Sequence, residues 1–178
     1  MQFVSLEATE PSVCRFTEEL WLSYNRTLEQ TVKRFALNDD DELIDAEVEF
    51  RLDRLTEPEY ELLVVLNTDD PVESIASTDA ELVGFISAEI EDSPAVFDAP
   101  DSLRIGDFFV TEPFRGSGLA AELVAWAVDR ADREDCPELS LEVDIDNERA
   151  KAFYDRLGFE TVKQTRAVSR TTVEARLE

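Results

Sequence analysis

The apolar positions of the first 60 residues recur mainly at helical spacing. Residues 2–7 alternate between polar and apolar side chains, which predicts a first strand. Pro11 and Ser12 then predict the start of a helix, since both residue types are favoured there. The apolar face of this helix consists of Val13, Phe16, Leu20 and Tyr24. The same spacing continues to residue 35, as an extension or a second helix, and residues 43–56 favour another short helix.

From residue 60 the pattern changes to short runs rich in β-branched and aromatic residues. Runs at 60–66, 81–90 and 103–111 are separated by Asp, Pro and Ser clusters, and they predict three sequential strands joined as a meander. An amphipathic helix over 119–131 and a strand over 139–143 follow. The third strand of the meander, this helix and the last strand therefore form one βαβ unit.

The C-terminal part of the chain predicts one more helix and two β-like runs. The helix would bury a face made of Ala150, Phe153 and Leu157, and Gly158 ends it at the C-cap position. The β-like runs are TVKQTRAVS at 161–169 and TTVEARLE at 171–178.

The charge balance of the chain is strongly acidic. Asp and Glu number 42 against 17 Lys and Arg, which gives a formal net charge of −25. Disorder would explain such acidity, but 43% hydrophobic content with regular periodicity favours a folded protein with an acidic surface. Salt at about 1 M shortens the Debye length to about 3 Å and so relieves the repulsion. The composition resembles that of halophile proteins, and it disfavours nucleic acid as a partner.

Length and residue usage limit the class of protein further. At 178 residues we expect a single domain, 1–178. No apolar run is long enough for a membrane span, and the first residues lack a basic stretch followed by an apolar core, so we expect no membrane partner and a cytoplasmic location. Cys14 and Cys136 are far apart and the chain has no His, which predicts free thiols and no metal site.

The segment RIGDFFVTEPFRGSGLAA, residues 104–121, runs from a strand through a turn into a helix. Two glycines leave backbone N–H groups able to face a ligand, and the helix adds about half a positive charge at its first turn, so the turn predicts an anion site. A GxGxx[GA] spacing (Gly116, Gly118, Ala121) raises a dinucleotide-binding turn as an alternative. That alternative is disfavoured because residues 113–115 separate the strand from the first glycine and only 34 residues follow Asp144. An ordinary strand-to-helix turn is the remaining alternative.

Two motifs in this region resemble those of the GNAT superfamily of N-acetyltransferases. The acetyl-CoA loop pattern [RQ]xxGx[GA] is filled by Arg115, Gly118 and Ala120. The downstream pattern NxxAxxFYxxxGF is filled by Asn147, Ala150, Phe153, Tyr154, Gly158 and Phe159. Together they cover residues 104–160, about a third of the chain. The sequence LEV at 141–143 with Asn147 is similar to the branch that acetylates protein N-termini.

This resemblance implies an α/β GNAT fold, a mixed and mostly antiparallel sheet of about seven strands flanked by helices and splayed at the acetyl-CoA site. The acetyl-CoA-binding core would be residues 103–160. N–H groups of the loop would hold the pyrophosphate of acetyl-CoA, and the backbone of the preceding strand would contact its pantetheine arm. The implied binding residues are Phe108, Phe109, Val110, Arg115, Gly116, Ser117, Gly118, Leu119, Ala120 and Asn147.

The resemblance also implies the catalytic groups. Tyr154 would be the general acid, since a phenol of pKa about 10 can protonate a leaving thiolate of pKa about 8.5 if it is well placed; a purely structural tyrosine is the alternative. Asn147 has two interpretations, as a helix N-cap and as a CoA contact. Many family members carry a glutamate that acts as the general base at the position where this chain has Gly106, next to Asp107. Glu142 is the candidate base instead, with a merely solvated acid as the alternative.

The predicted activity is direct transfer of the acetyl group of acetyl-CoA to a primary amine, with no metal. The acceptor amine would be a protein N-terminus, a lysine or a small molecule, because α-amino pKa values near 8 and lysine values near 10.4 do not by themselves choose a substrate. The alternative is a non-catalytic acyl-CoA-binding or regulatory module, for which Gly106 is the main support. We expect a homodimer only because dimers are the commonest oligomers of soluble proteins.

Overall fold

A five-stranded sheet organises the first of two compact units, residues 1–146 and 147–178. The structure, a computed structural model, describes residues 1–39, 42–96 and 98–177. The strands are β1 (Gln2–Ser5), β2 (Tyr60–Leu66), β3 (Leu82–Glu91), β4 (Ser102–Val110) and β5 (Glu138–Leu141). Their order in the sheet follows the chain, with antiparallel pairing from β1 to β4 and parallel pairing of β4 with β5. The mixed, mostly antiparallel sheet is confirmed.

Helices lie on both faces of this sheet. The helices of the first unit are α1 (Glu10–Phe16), α2 (Leu22–Thr31), α3 (Leu43–Arg54) and α4 (Leu119–Arg133). On β3, the Phe85 ring contacts Phe16 of α1, while the neighbouring Gly84 approaches Leu119 and Leu123 of α4. Since successive strand residues face opposite sides, α1 and α4 lie on opposite faces. Arg130 of α4, 4% exposed, donates to the carbonyls of Ala88 and Glu59 and so ties α4 to the sheet.

The segment between α1 and α2 is a π-helix, Thr17–Trp21, so the predicted first helix continues without a break from Glu10 to Thr31. The N–H of Leu22 donates to the carbonyl of Thr17, five residues earlier. Such π segments occur frequently at functional sites. The predicted helix over 43–56 corresponds to α3.

The second unit begins with α5 (Glu148–Arg156) and ends with α6 (Arg170–Leu177). The two β-like runs predicted here are wrong, and with them the total of seven strands, because 161–169 is irregular and most of 171–178 is helical. The Oγ of Ser169 accepts from the N–H of Thr172 at 3.3 Å, which caps α6. The good helix formers at 174–177 (Glu, Ala, Arg and Leu) outweigh the strand preference of the β-branched residues at 171–173. Leu157 is also 44% exposed rather than buried as predicted.

None of the helices in the described ranges is long and apolar enough to cross a membrane. The cytoplasmic location, the single domain 1–178 and the homodimer stay predictions.

Candidate active site

A β-bulge in β4 places two residues opposite one residue of β3. Ile86 pairs with Phe108 and Ala88 with Ile105, so Ser87 alone faces Gly106 and Asp107. The N–H of Asp107 donates to Ser87 Oγ at 2.8 Å. A Cβ at position 106 would lie 2.7 Å from the same Oγ. A side chain at 106 would therefore displace the Ser87 hydroxyl from its hydrogen bond with Asp107, so the bulge as built favours glycine over a carboxylate residue there.

Beyond the bulge, the described residues of β4 no longer pair with β5. The parallel pairing of the two strands ends at Ile105 and Leu141, although β4 continues to Val110. Asp107 and Thr111 both direct their N–H groups to β3, at Ser87 Oγ and the Val83 carbonyl. Because strand backbone groups alternate in direction, the backbone groups of the predicted binding residues Phe108 and Val110 face the other edge.

The side chains of this segment belong to the core, as predicted. Phe109 is 5% exposed and Val110 8% exposed, and the Phe109 ring lies 5.7 Å from that of Tyr24. Phe108 is half-buried. The side chains of Phe109 and Val110 are therefore not accessible to a ligand at this edge.

Two glycines shape the turn between β4 and α4. After a short 3₁₀ turn, Glu112–Phe114, Gly116 has a φ of 81° and Gly118, at the N-cap of α4, a φ of 100°. Both values lie in the region that favours glycine. A Cβ at either position would meet nothing within 4 Å. The glycines are required by backbone conformation, and the space beside them is open to a ligand.

The N–H groups of this turn fall into two alternating sets. One set donates within the turn, at 3.2 to 3.4 Å, and consists of Arg115, Ser117 and Leu119. The other set has no acceptor among the residues that the structure describes, and consists of Gly116, Gly118 and Ala120. Three open donors at the positive end of a 15-residue helix suit an anionic ligand.

The side chain of Arg115 folds back on the strand. Its Nε donates to the carbonyl of Val110 at 3.1 Å, and its guanidinium carbon lies 5.7 Å from the centre of the Phe109 ring. The residue is exposed. Arg115 thus holds the turn against the end of β4 while its charge stays at the surface.

Glu142 follows directly after β5, because the strand ends at Leu141 rather than at the predicted residue 143. Its side chain is exposed, and in the described part of the chain no cation pairs with it. Since Leu141 pairs in parallel with Ile105, Glu142 comes next to the level of Gly106, where β4 and β5 separate. A carboxylate in this place is accessible to a molecule bound where the two strands separate.

The second unit holds Asn147 and Tyr154. Asn147 Oδ1 accepts from the N–H of Ala150 at 3.2 Å, so the N-cap interpretation is confirmed. Tyr154 is 8% exposed, and its ring contacts those of Phe153 and Phe159 at 5.5 and 5.6 Å. Burial raises the pKa of Tyr154 to about 12. The phenol therefore keeps its proton at any physiological pH and is a weaker acid than an exposed tyrosine.

A buried charge cluster that the sequence did not predict lies beside the bulge. Arg51 of α3, 3% exposed, donates through Nη2 to Glu47 Oε1 at 2.6 Å and to Asp107 Oδ2 at 3.2 Å. It also contacts the hydroxyl of Tyr60. Burial raises the pKa of Glu47 while Arg51 opposes the shift, and burial likewise raises the pKa of Tyr60. Arg51 and Asp107 are 56 residues apart, so the one usable signal in the sequence was an arginine in the middle of a partly apolar helix.

The fold and the turn between β4 and α4 agree with the family that the comparison with known proteins identifies. The model of the acetyltransferase (GNAT) family matches residues 41–159, and the chain belongs to this family.

Its similarity to curated proteins is more local. N-alpha-acetyltransferase 30 of Saccharomyces cerevisiae is 38% identical over 60 residues, 34% of this chain and 34% of that protein. N-alpha-acetyltransferase MAK3 of Arabidopsis thaliana is 42% identical over 55 residues, 31% of this chain and 29% of that protein. The alignments thus span about a third of these relatives.

Solved structures share the fold over nearly the whole chain. A tetramutant of the BH1408 protein from Bacillus halodurans has a TM-score of 0.71 at 17% identity, covering 95% of this chain and 99% of that one. The aminoglycoside N-acetyltransferase AAC(6')-Iy in complex with CoA has a TM-score of 0.60 at 15% identity, covering 95% and 93%. At these identities the likeness establishes the fold.

Proposed function

We propose that this protein is an acetyl-CoA-dependent N-acetyltransferase that acetylates a primary amine by direct attack. The observation that carries the proposal is the turn from β4 to α4, with three N–H donors that lack acceptors among the described residues, beside the point where β4 and β5 separate. Family membership and the N-alpha-acetyltransferase relatives support the same activity. A protein N-terminus is the acceptor that these relatives favour.

The turn would bind the pyrophosphate of acetyl-CoA. Its open donors are the N–H groups of Gly116, Gly118 and Ala120, and the adjoining Ser117 and Leu119 complete the turn. The backbone of β4 at Phe108 and Val110, beyond the pairing with β5, would contact the pantetheine arm, so that the sheet is splayed at the acetyl-CoA site. Acetyl-CoA supplies the activated acetyl thioester.

The two catalytic roles would fall to Glu142 and Tyr154. Glu142 would take the proton of the acceptor amine, directly or through water, because it is exposed where the two parallel strands separate. Tyr154, with its pKa raised to about 12, would act mainly by donating a hydrogen bond to the leaving sulfur. Full proton transfer to a thiolate of pKa about 8.5 is uphill for so weak an acid. Asn147 would contact CoA besides capping α5.

The remaining features concern the surroundings of the enzyme. A cytoplasm rich in salt would screen the net charge of −25, and the single domain 1–178 would function there without nucleic acid or membrane partners, as a monomer or homodimer.

The activity is tested by acetyl-CoA consumption in concentrated KCl with a panel of peptides carrying free α-amines and of small amines. Wild type should turn over at least one amine, and Glu142→Gln and Tyr154→Phe should each reduce kcat by about 10²-fold or more. Glu138→Gln, another exposed acid at the start of β5, is the matched control and should leave kcat unchanged. Acetyl-CoA binding without turnover of any amine would favour the non-catalytic module instead.

A further inference from the structure

A cleft on the first unit lies between the π-helical segment, α2 and α3. Its volume is about 380 Å³, which corresponds to roughly a dozen water-sized volumes. Its described walls are mostly apolar, formed by Trp21, Phe35, Ala36, Leu37, Leu43 and Ala46, with Asn25, Asn38 and Glu47 as the polar members. The cleft therefore suits an apolar group of about a dozen non-hydrogen atoms that carries a polar end.

Glu47 is the one charged side chain among these described walls. The side chain is 10% exposed, and both of its hydrogen bonds, from Arg51 Nε and Nη2, end on Oε1. No donor in the described ranges reaches Oε2. A carboxylate oxygen that lacks a donor, on a side chain that is mostly buried, gains most from a cationic N–H. The raised pKa of this carboxyl, caused by burial, is consistent with that need.

The same cluster connects the cleft to β4. Arg51 Nη2 binds Glu47 Oε1 and Asp107 Oδ2 together, so one guanidinium nitrogen links the wall of the cleft to the bulge. The next residue, Phe108, belongs to the part of β4 that lies beyond its pairing with β5. A molecule in the cleft is thus held beside the strand edge that the proposed function assigns to the acetyl donor.

We propose that this cleft binds the acceptor, that the acceptor is an ammonium compound with an apolar substituent, and that Glu47 Oε2 determines its specificity by accepting from the protonated nitrogen. Charge complementarity and the apolar walls together select this occupant over a neutral or an anionic one. The role of the bound compound as acetyl acceptor rests on the proposed function, but its binding to the cleft can be measured without acetyl-CoA.

Phenethylamine and 2-phenylethanol serve as probes, since they share a carbon skeleton and differ in charge. Binding is followed by the fluorescence of Trp21, with Trp21→Phe, which retains Trp126, as the control for the origin of the signal. Wild type should bind the amine about tenfold or more tightly than the alcohol. In Glu47→Gln this preference should fall to near unity, whereas the exposed Glu49→Gln on the same helix should keep it.

A second variant keeps the test informative if Glu47→Gln folds poorly. Ala46→Phe, at an exposed position on the cleft wall, should fill the cleft and weaken both probes to a similar extent. With phenethylamine as acetyl acceptor, Glu47→Gln should raise KM about tenfold, with kcat and the Kd of acetyl-CoA nearly unchanged.

A charge preference retained in Glu47→Gln, or a Trp21 signal that neither probe changes, would overturn the inference while leaving acetyl transfer intact. Binding that depends on Glu47 in a protein that acetylates no amine would instead support the cleft and refute the proposed function.

Discussion

Replacing Gly106 by alanine tests how the β4 bulge is packed. The new Cβ would lie 2.7 Å from Ser87 Oγ, closer than real Cβ contacts, so the hydroxyl must move. The hydrogen bond from the Asp107 N–H at 2.8 Å would then be lost. Loss of this part-buried hydrogen bond costs about 1 kcal/mol and overpacking about 1–3 kcal/mol, so we expect Gly106→Ala to lower the free energy of unfolding by about 2–4 kcal/mol.

A double-mutant cycle with Ser87→Ala isolates this contact. Ser87→Ala alone should cost about 1 kcal/mol, because it removes the same hydrogen bond without adding a clash. In that background the nearest atoms to a Cβ at 106 are the Cβ and the carbonyl oxygen of residue 87, both at 3.9 Å, which is ordinary contact. Gly106→Ala should then cost less than about 1 kcal/mol, and the coupling energy should be about 1–3 kcal/mol in favour of the double variant.

The assay is denaturant unfolding of the four proteins in concentrated KCl, evaluated by linear extrapolation. Strictly additive losses would refute the reasoning, since they would mean that Ser87 Oγ does not restrict position 106. A Gly106→Ala variant as stable as wild type would refute it as well.

Three further predictions follow from other parts of the molecule. Gly118→Ala should lower the free energy of unfolding by about 1–2 kcal/mol through its φ of 100°, and it should weaken acetyl-CoA binding in calorimetry. Arg51→Met should cost about 3–5 kcal/mol in denaturant unfolding, because Glu47 and Asp107 lose their shared cation; a loss below about 1 kcal/mol would show the cluster to be solvated. Tyr154 binds its proton up to about pH 12 when folded but only to about pH 10 when unfolded, so stability should fall by up to about 3 kcal/mol between these values, and Tyr154→Phe should lack that share of the loss.

The sequence predicted the elements whose residue pattern lies within one short stretch of the chain. The β2 range 60–66 was predicted to the residue, because a continuous apolar run between polar clusters leaves few alternatives. The turn before α4 was predicted from Gly116 and Gly118, and both glycines have positive φ values in the structure. The prediction of two C-terminal strands was wrong, because the β-branched residues of this segment favour strands whereas the cap at Ser169 begins a helix.

The features that escaped prediction depend on contacts between distant residues. Nothing near Gly106 in the sequence reveals that Ser87, 19 positions earlier, excludes a side chain there. The pairing of Arg51 with Asp107 depends on how α3 packs beside β4, which periodicity does not specify. The roles proposed for Glu142 and Tyr154 stay predictions until the variants are measured.

The open N–H groups at Gly116, Gly118 and Ala120 link ligand occupancy to folding. A ligand that binds only the folded chain adds about 2.7 kcal/mol to its stability when present at 100 times its Kd. The same turn joins β4 to α4, the crossover that the parallel pairing with β5 requires. If acetyl-CoA is that ligand, the metabolic supply of acetyl groups would also set how much of this protein is folded, and hence its lifetime in the cell.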